Sequence, residues 1–296
     1  MSVEGTVYDR GYTPHEGERL GRTGAIRAMF IDGVRRSLGL RRKAWAKVLP
    51  WGLIGAAIIP AAWMVALTFV VGGFDVEDFG PFASPSELFS ILGVMFMLFI
   101  ALVTPTLLVP DRRYGVLSVY ASRPVRAGDY LTARVSVMVL LAALFLLIPQ
   151  ATMYVGVSSL NEDGMWAGMV NNSGEILPIL GTTVAIVVGY TAPAFLVSLY
   201  VNRVPIAAGV YVAVMMMSGA LSDALPRQSD LLIFKLLAPL ALFMNPLSFR
   251  DWLFDDPGEG MPLARVDLPQ WVGGIAILVV AVVTAVLAIR RYRKHI

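Results

Sequence analysis

Six stretches of the chain contain no charged side chain: Leu49 to Val71, Leu88 to Pro110, Val135 to Ser158, Ile176 to Val201, Ile206 to Ser222 and Trp271 to Ile289. An α-helix rises about 1.5 Å per residue, so it needs about 20 mainly apolar residues to cross the hydrocarbon of a bilayer. Each stretch is therefore predicted to be a transmembrane helix, and the fold class to be an all-α integral membrane protein. Pro205 opens the fifth and shortest stretch, where a first helical turn loses nothing by lacking an N–H. Pro60, Pro105, Pro149 and Pro193 fall inside other stretches, which membrane helices tolerate when neighbours re-satisfy the freed backbone groups.

Two further patterns change this picture. The segment from Gly24 to Trp45 has helical spacing, with Ile26, Met29, Phe30, Val34 and Leu38 on one side and Arg27, Arg35, Arg36, Arg41, Arg42 and Lys43 over much of the rest. It is predicted to lie in the headgroup layer, apolar side down, with arginines toward anionic membrane lipid. The window Leu231 to Phe249 is apolar but holds Lys235, Pro239, Asn245 and Pro246, and reads as a pair of short helices dipping back into the membrane. Counting it as a seventh span would put one of two strongly basic termini outside.

Orientation follows from the basic residues, which gather on the cytoplasmic side. Ten precede Val48, Arg112, Arg113, Arg123, Arg126 and Arg134 cluster after the second span, and Arg290, Arg291, Arg293 and Lys294 follow the last. The connections Gly72 to Glu87 and Ser159 to Glu175 have none, and the first carries Asp75, Glu77 and Asp78. The expected protein is a multi-pass inner-membrane protein with both termini cytoplasmic, residues 1–23 a flexible tail, 24–47 the interfacial helix and 48–296 the membrane domain, with an outer re-entrant segment at 224–269.

Composition agrees: 57% of residues are hydrophobic and 15% charged, against about 25% charged in soluble domains. The basic residues flank apolar spans and are not interleaved with aromatics along a soluble face, so no nucleic-acid partner is expected. The chain has no cysteine, and its two histidines, His15 and His295, lie in the tails. That removes thiolate chemistry and any histidine site within the membrane. The buried polar residues inside the spans are mainly Gln150, Tyr154, Tyr190 and Ser or Thr side chains, which suit bonding between helices. No Gly-Lys followed by Ser or Thr occurs, so no phosphate-binding loop is present. No catalytic residue, metal site or cofactor is expected, and if ATP drives the protein a separate subunit hydrolyses it.

Such a subunit needs a surface, and the long internal connection at 111–130 offers one. It reads Asp111, Arg112, Arg113, Tyr114, Gly115, Val116, Leu117, then Ser118, Val119 and Tyr120, and passes through Arg123 and Pro124 to Tyr130 and Arg134. Val116, Leu117, Val119 and Tyr120 are apolar groups with no domain of their own to bury them, which invites a partner. Pro124 disfavours helix at Arg123.

The acidic-basic start after a span, Gly115, Leu117, the Arg123-Pro124 step, Tyr130 and Arg134 resemble the first cytoplasmic loop of ABC-2 type transporter permeases. The amphipathic helix, six spans and outer hairpin resemble that family's plan over nearly the whole chain. The resemblance implies that the loop is a coupling helix seated in a cytoplasmic ABC ATPase subunit, with ATP and Mg on that partner. It also implies a second permease subunit, the same chain or a related one. Small residues that permit close helix approach, Gly52, Gly55 and Ala56 in the first span and Ala207, Ala208, Gly209 and Gly219 in the fifth, are the expected interface of the pair. The expected function is the permease subunit of an ATP-driven exporter of a lipid-like, amphipathic or drug-like substrate. The alternatives are a secondary carrier or channel without an ATPase, and a non-transporting membrane scaffold.

Overall fold

A computed structural model of the protein describes residues 21–40, 45–72, 84–116, 125–228, 235–258 and 260–293. Of these, 85% are helical and none lies in a strand, so the chain is all-α as the apolar windows require. The helices are α1 (Gly21–Ser37), α2 (Trp45–Gly72), α3 (Pro85–Arg113), α4 (Ala127–Ser159), α5 (Met165–Asn171) and, after a 3-10 turn at Asn172–Glu175, α6 (Ile176–Tyr200). They continue as α7 (Val204–Gln228), a 3-10 turn at Ala238–Leu240, α8 (Asn245–Leu253), α9 (Pro262–Arg265) and α10 (Val272–Tyr292). Six helices, α2, α3, α4, α6, α7 and α10, are long and apolar enough to cross a membrane.

Several of these helices outrun the windows that predicted them. α4 begins at Ala127, not Val135, and α3 runs on to Arg113, so the 111–130 connection loses residues at both ends to helices. Charge ends an apolar window but does not end a helix. The start of α4 is instead fixed by Asp129, whose carboxylate accepts the Arg126 backbone N–H at 2.9 Å and so satisfies a donor just ahead of the first turn. The α3 start is capped by Ser84, whose hydroxyl accepts the Glu87 N–H at 3.1 Å.

α1 starts earlier and stops sooner than predicted, at Gly21 and Ser37, and Trp45 and Lys47 belong to α2. Its apolar side meets protein: Met29, Gly33 and Ser37 are buried where α1 packs on α3 and α4. Gly33 permits this approach, since a Cβ there would stand 2.9 Å from Val137 Cγ2 and 3.0 Å from Arg134 Nη1. The described part of the window Leu231 to Phe249 forms the 3-10 turn and the start of α8, with no spanning helix among those residues. Pro239 and Pro246 sit at the beginnings of those pieces, where proline is compatible with helix.

α3 and the α5–α6 stretch form the centre of the bundle, with 67% and 72% of their most apolar windows buried, whereas α2 and α7 reach 17% and α10 22%. An aromatic chain joins the central helices. Phe145 of α4 stacks on Phe99 with centroids 4.7 Å apart and lies 5.6 Å from Phe96, which in turn lies 5.5 Å from Tyr190 of α6. Tyr190 donates its hydroxyl to the Phe243 carbonyl at 3.0 Å, tying the segment before α8 into the core. Aromatic pairs of this kind contribute about 0.5–1.5 kcal/mol each beyond area burial.

Candidate functional site at the arginine-rich end

A buried polar network lies where α3 ends and α4 begins. Asp111, in the last turn of α3, is 1% exposed. Its carboxylate accepts from Arg36 of α1 at 2.5 Å, from Arg134 of α4 at 2.6 Å and from the Tyr130 hydroxyl at 3.1 Å. Arg134 is fully buried and also donates to the Met29 carbonyl of α1 at 3.2 Å. Its guanidinium lies 5.5 Å from the Tyr130 ring, and that ring lies 5.2 Å from the ring of Tyr292 on α10. Asp32, half-exposed, is 2.9 Å from Arg36 and 3.7 Å from Arg134. Two arginines and two aspartates thus balance in charge, which a site of this burial requires.

Arg36 shows how the balance is struck. Burial works against its charge, yet the bond and field of Asp111, aided by Asp32, outweigh burial and the nearby Arg134, and hold the guanidinium above its ordinary pKa.

Two more contacts extend the network. Arg22 of α1 forms a two-point contact with Asp129, at 2.8 and 2.6 Å. Arg112 of α3 donates to the carbonyls of Ser198, Leu199 and Val201 and, at 3.1 Å, to Asn202 Oδ1. Ser198 and Leu199 supply last-turn carbonyls of α6, which lack intrahelical partners and carry the negative end of the helix dipole, and Val201 caps that helix. Arg291 of α10 lies 4.8 Å from the Tyr200 ring at the same helix end. Thus α1, α3, α4, α6 and α10 are fastened together at one end by charge.

The residues predicted to couple to a partner divide here. Asp111 is buried and Arg112 half-buried, and both are engaged in the contacts just described. Arg113 and Tyr114 face outward, Tyr114 being 72% exposed, and Val116 is half-buried. Gly115 takes a positive φ of 65° directly after α3, a conformation that favours glycine. Leu117 and Tyr120, like Arg123 and Pro124, lie outside the described residues.

The small residues of α2 and α7 divide likewise. Gly52, Gly55 and Gly209 are exposed and Ala56, Ala208 and Gly219 half-buried, and a Cβ on any of the four glycines would meet open space. Ala207 is fully buried within the chain and lies off that face. Ala208 and Gly209 line a groove whose floor is Leu98, Ala101 and Leu102 of α3 and whose other wall is Leu49 and Leu53 of α2.

Sequence reasoning missed the pairing of Asp111 with Arg134, and a second buried pair at the opposite end. There Arg250 and Asp251 of α8 bond to each other, and Arg250 also reaches the Ser86 carbonyl at 2.7 Å and the Ser90 hydroxyl, clamping α8 onto the start of α3. Asp251 is fully buried. Burial raises its carboxyl above the ordinary carboxylate range, Arg250 opposes the rise, and Asp256 and Glu87 add to it. The signal for the first pair was present in the register: Asp111 follows Leu107 and Leu108 by one turn, and Arg134 precedes Val137 and Met138 by one turn, all of them buried. Among the described residues no group of three or more His, Cys, Asp or Glu side chains is placed to hold a metal ion.

Comparison of the sequence with protein-family models and with curated proteins finds no match. The chain stands as an all-helical protein with six candidate membrane spans, a multi-pass membrane protein by the length and composition of its helices.

Proposed function

We propose that this protein is the membrane-spanning permease subunit of an ATP-driven transporter of the ABC-2 type, exporting a lipid-like, amphipathic or drug-like substrate. It works with a second permease and with cytoplasmic ATPase subunits that carry ATP and Mg. The observation that carries this reading is the charge network directly behind the connection from α3 to α4. A partner pressing on that connection acts on Arg113 and Tyr114, one or two residues beyond Arg112. Arg112 is bonded to the end of α6, and Asp111 to α1 and α4. A displacement at the surface thereby reaches several helices of the bundle through short, charge-assisted bonds, which are stronger than neutral ones. The arginine-rich end is cytoplasmic in this reading.

The test is co-purification of the protein with a phosphate-loop ATPase from its own cells, and ATPase stimulation in liposomes, for the native chain and for Leu117→Asp. A buried aspartate without a counter-ion is costly, so the variant should insert normally and lose ATPase association. Full association and transport by the inserted variant would overturn the docking assignment. Transport retained with every nucleotide-binding partner removed would overturn the function.

A further inference from the structure

The connection Ser159 to Glu175 lies outside the apolar windows, yet it carries a helix, α5, with an apolar side that the chain leaves uncovered. A turn at Asn161–Gly164 reverses the chain. It is closed by the Gly164 N–H, which donates to the Asn161 carbonyl at 3.0 Å, and by a positive φ of 94° at Gly164. α5 then packs along the last turns of α4. Gly168 allows the approach, since a Cβ there would fall on the Ser158 carbonyl oxygen, and the Tyr154 hydroxyl donates to the Met169 carbonyl at 2.6 Å. At 3.6 residues per turn, the residues two before and two after Gly168 stand on the side away from α4. They are Trp166 and Val170, 77% and 67% exposed.

Depth and continuity identify what covers that side. Ser158 follows Arg134, at the arginine-rich end, by 24 positions of α4, which is about 36 Å at about 1.5 Å per residue. That length falls between the roughly 30 Å of hydrocarbon and the roughly 40–45 Å of a whole bilayer with its headgroups. α5 therefore lies in the headgroup layer opposite the arginines, and any tilt of α4 draws it deeper. Leu177 and Val184, seven positions apart and thus on one side of α6, are exposed too, and the run Met165–Tyr200 is apolar enough to be one candidate span. The uncovered side of α5 thus continues into a surface that faces lipid. Tryptophan is enriched at the level where its ring sits among headgroups. Charge plays no part in the seating: Ser159 to Glu175 has no basic residue, and Glu162 and Asp163 stand exposed in the turn before α5.

We propose that α5 is an interfacial anchor, with Trp166 and Val170 seated among the headgroups and upper acyl chains of the leaflet opposite the arginine-rich end. It fixes how deep α4 and α6 sit, through apolar burial and independently of lipid charge. The inference requires membrane insertion alone and no ATPase partner, so it stands or falls separately from the transporter reading.

The experiment uses the full chain in liposomes, spin-labelled at one introduced cysteine at a time, since the chain has none of its own. Collision of the label with oxygen, which partitions into lipid, is compared with collision with a water-soluble nickel chelate. Leu177→Cys supplies the lipid reference and Glu162→Cys the aqueous one. Labels at Trp166→Cys and Val170→Cys should shift away from the Glu162 value toward the Leu177 value, equally in phosphatidylcholine and in phosphatidylglycerol. Val170→Cys retains Trp166 and carries the test where loss of the indole disturbs α5. Adding Trp166→Glu to Val170→Cys should move that label back toward water. An aqueous value at Val170 with Trp166 in place, shielding from both reagents as under a protein partner or a second copy, a lipid value confined to phosphatidylglycerol, or a Val170 label unmoved by Trp166→Glu would overturn the proposal.

Discussion

Asp111 illustrates why a single buried charge matters more than several exposed ones. It holds two arginines and a tyrosine on one carboxylate with 1% exposure, while Asp32, in the same network, is half-exposed. Removing a partner from a buried ion pair leaves the other charge uncompensated, at about 3–5 kcal/mol, whereas an exposed pair contributes about 0–1 kcal/mol. Asp111→Ala should therefore lower thermal stability in detergent far more than Asp32→Ala. Equal effects would show that Arg134 finds another counter-charge. At the opposite end, Asp251 yields a pH prediction. Its folded pKa is raised by burial above the unfolded carboxylate value, which is about 4. Its contribution to stability is then fully present below the unfolded value and is lost as pH rises through the elevated folded one. The melting temperature of the native chain should carry this decline as pH rises above the unfolded carboxylate value, and Asp251→Asn, which cannot ionise, should flatten it. An unchanged pH profile in the variant would assign the decline to other groups.

At the scale of elements, α1 behaves as part of the bundle, because Met29, Gly33 and Ser37 are buried against α3 and α4 and three of its side chains, Arg22, Asp32 and Arg36, pair with partners there or within the network. Gly33 sets the approach, since any Cβ would press on Val137 and Arg134. Overpacking costs about 1–3 kcal/mol, so Gly33→Leu should lift α1 away. Hydrogen exchange along residues 21–37 should accelerate while the core of α3 stays protected. Protection of α1 equal to that of the native chain would mean that the ion pairs alone hold it. α2 and α7 present the opposite case, with little of either buried in the chain and a groove between them over α3. If these faces join two permeases, single cysteines placed along Gly52 to Ala56 and along Ala208 to Val212, in a chain that has none of its own, should cross-link between copies with helical periodicity. Cross-linking confined to α4 or α6 would place the interface elsewhere.

For the whole molecule, the polar networks divide by end. One end fastens five helices through arginines and aspartates, and the other is closed by α8 through Arg250. α3, at 29 residues, spans about 43 Å at about 1.5 Å per residue, more than the roughly 30 Å of hydrocarbon in a bilayer. Its terminal charges therefore reach the headgroup layers and need not cross the apolar centre. Single cysteines at Tyr114 and Arg293 should be shielded from an impermeant reagent in intact cells, while those at Glu162 and Asp255 should react. Labelling at Arg293 in intact cells would reverse the orientation drawn from the basic residues.

The amino-acid sequence by itself determined the class of the protein and the six long helices, because hydrocarbon accepts only backbone that satisfies its own hydrogen bonds, and runs such as Leu88 to Pro110 are too long and too free of charge for any other use. It also determined that α1 is amphipathic, since that property belongs to spacing along one element. Tertiary structure decided what the apolar side of α1 touches, and it turned Asp111 and Arg112 inward while leaving Arg113 and Tyr114 outside. Asp111 and Arg134 are separated by 23 positions and stand on different helices. Whether they meet depends on how those helices are rotated and packed, a geometry set by close approaches such as that at Gly33 and by the penalty for burying either charge alone.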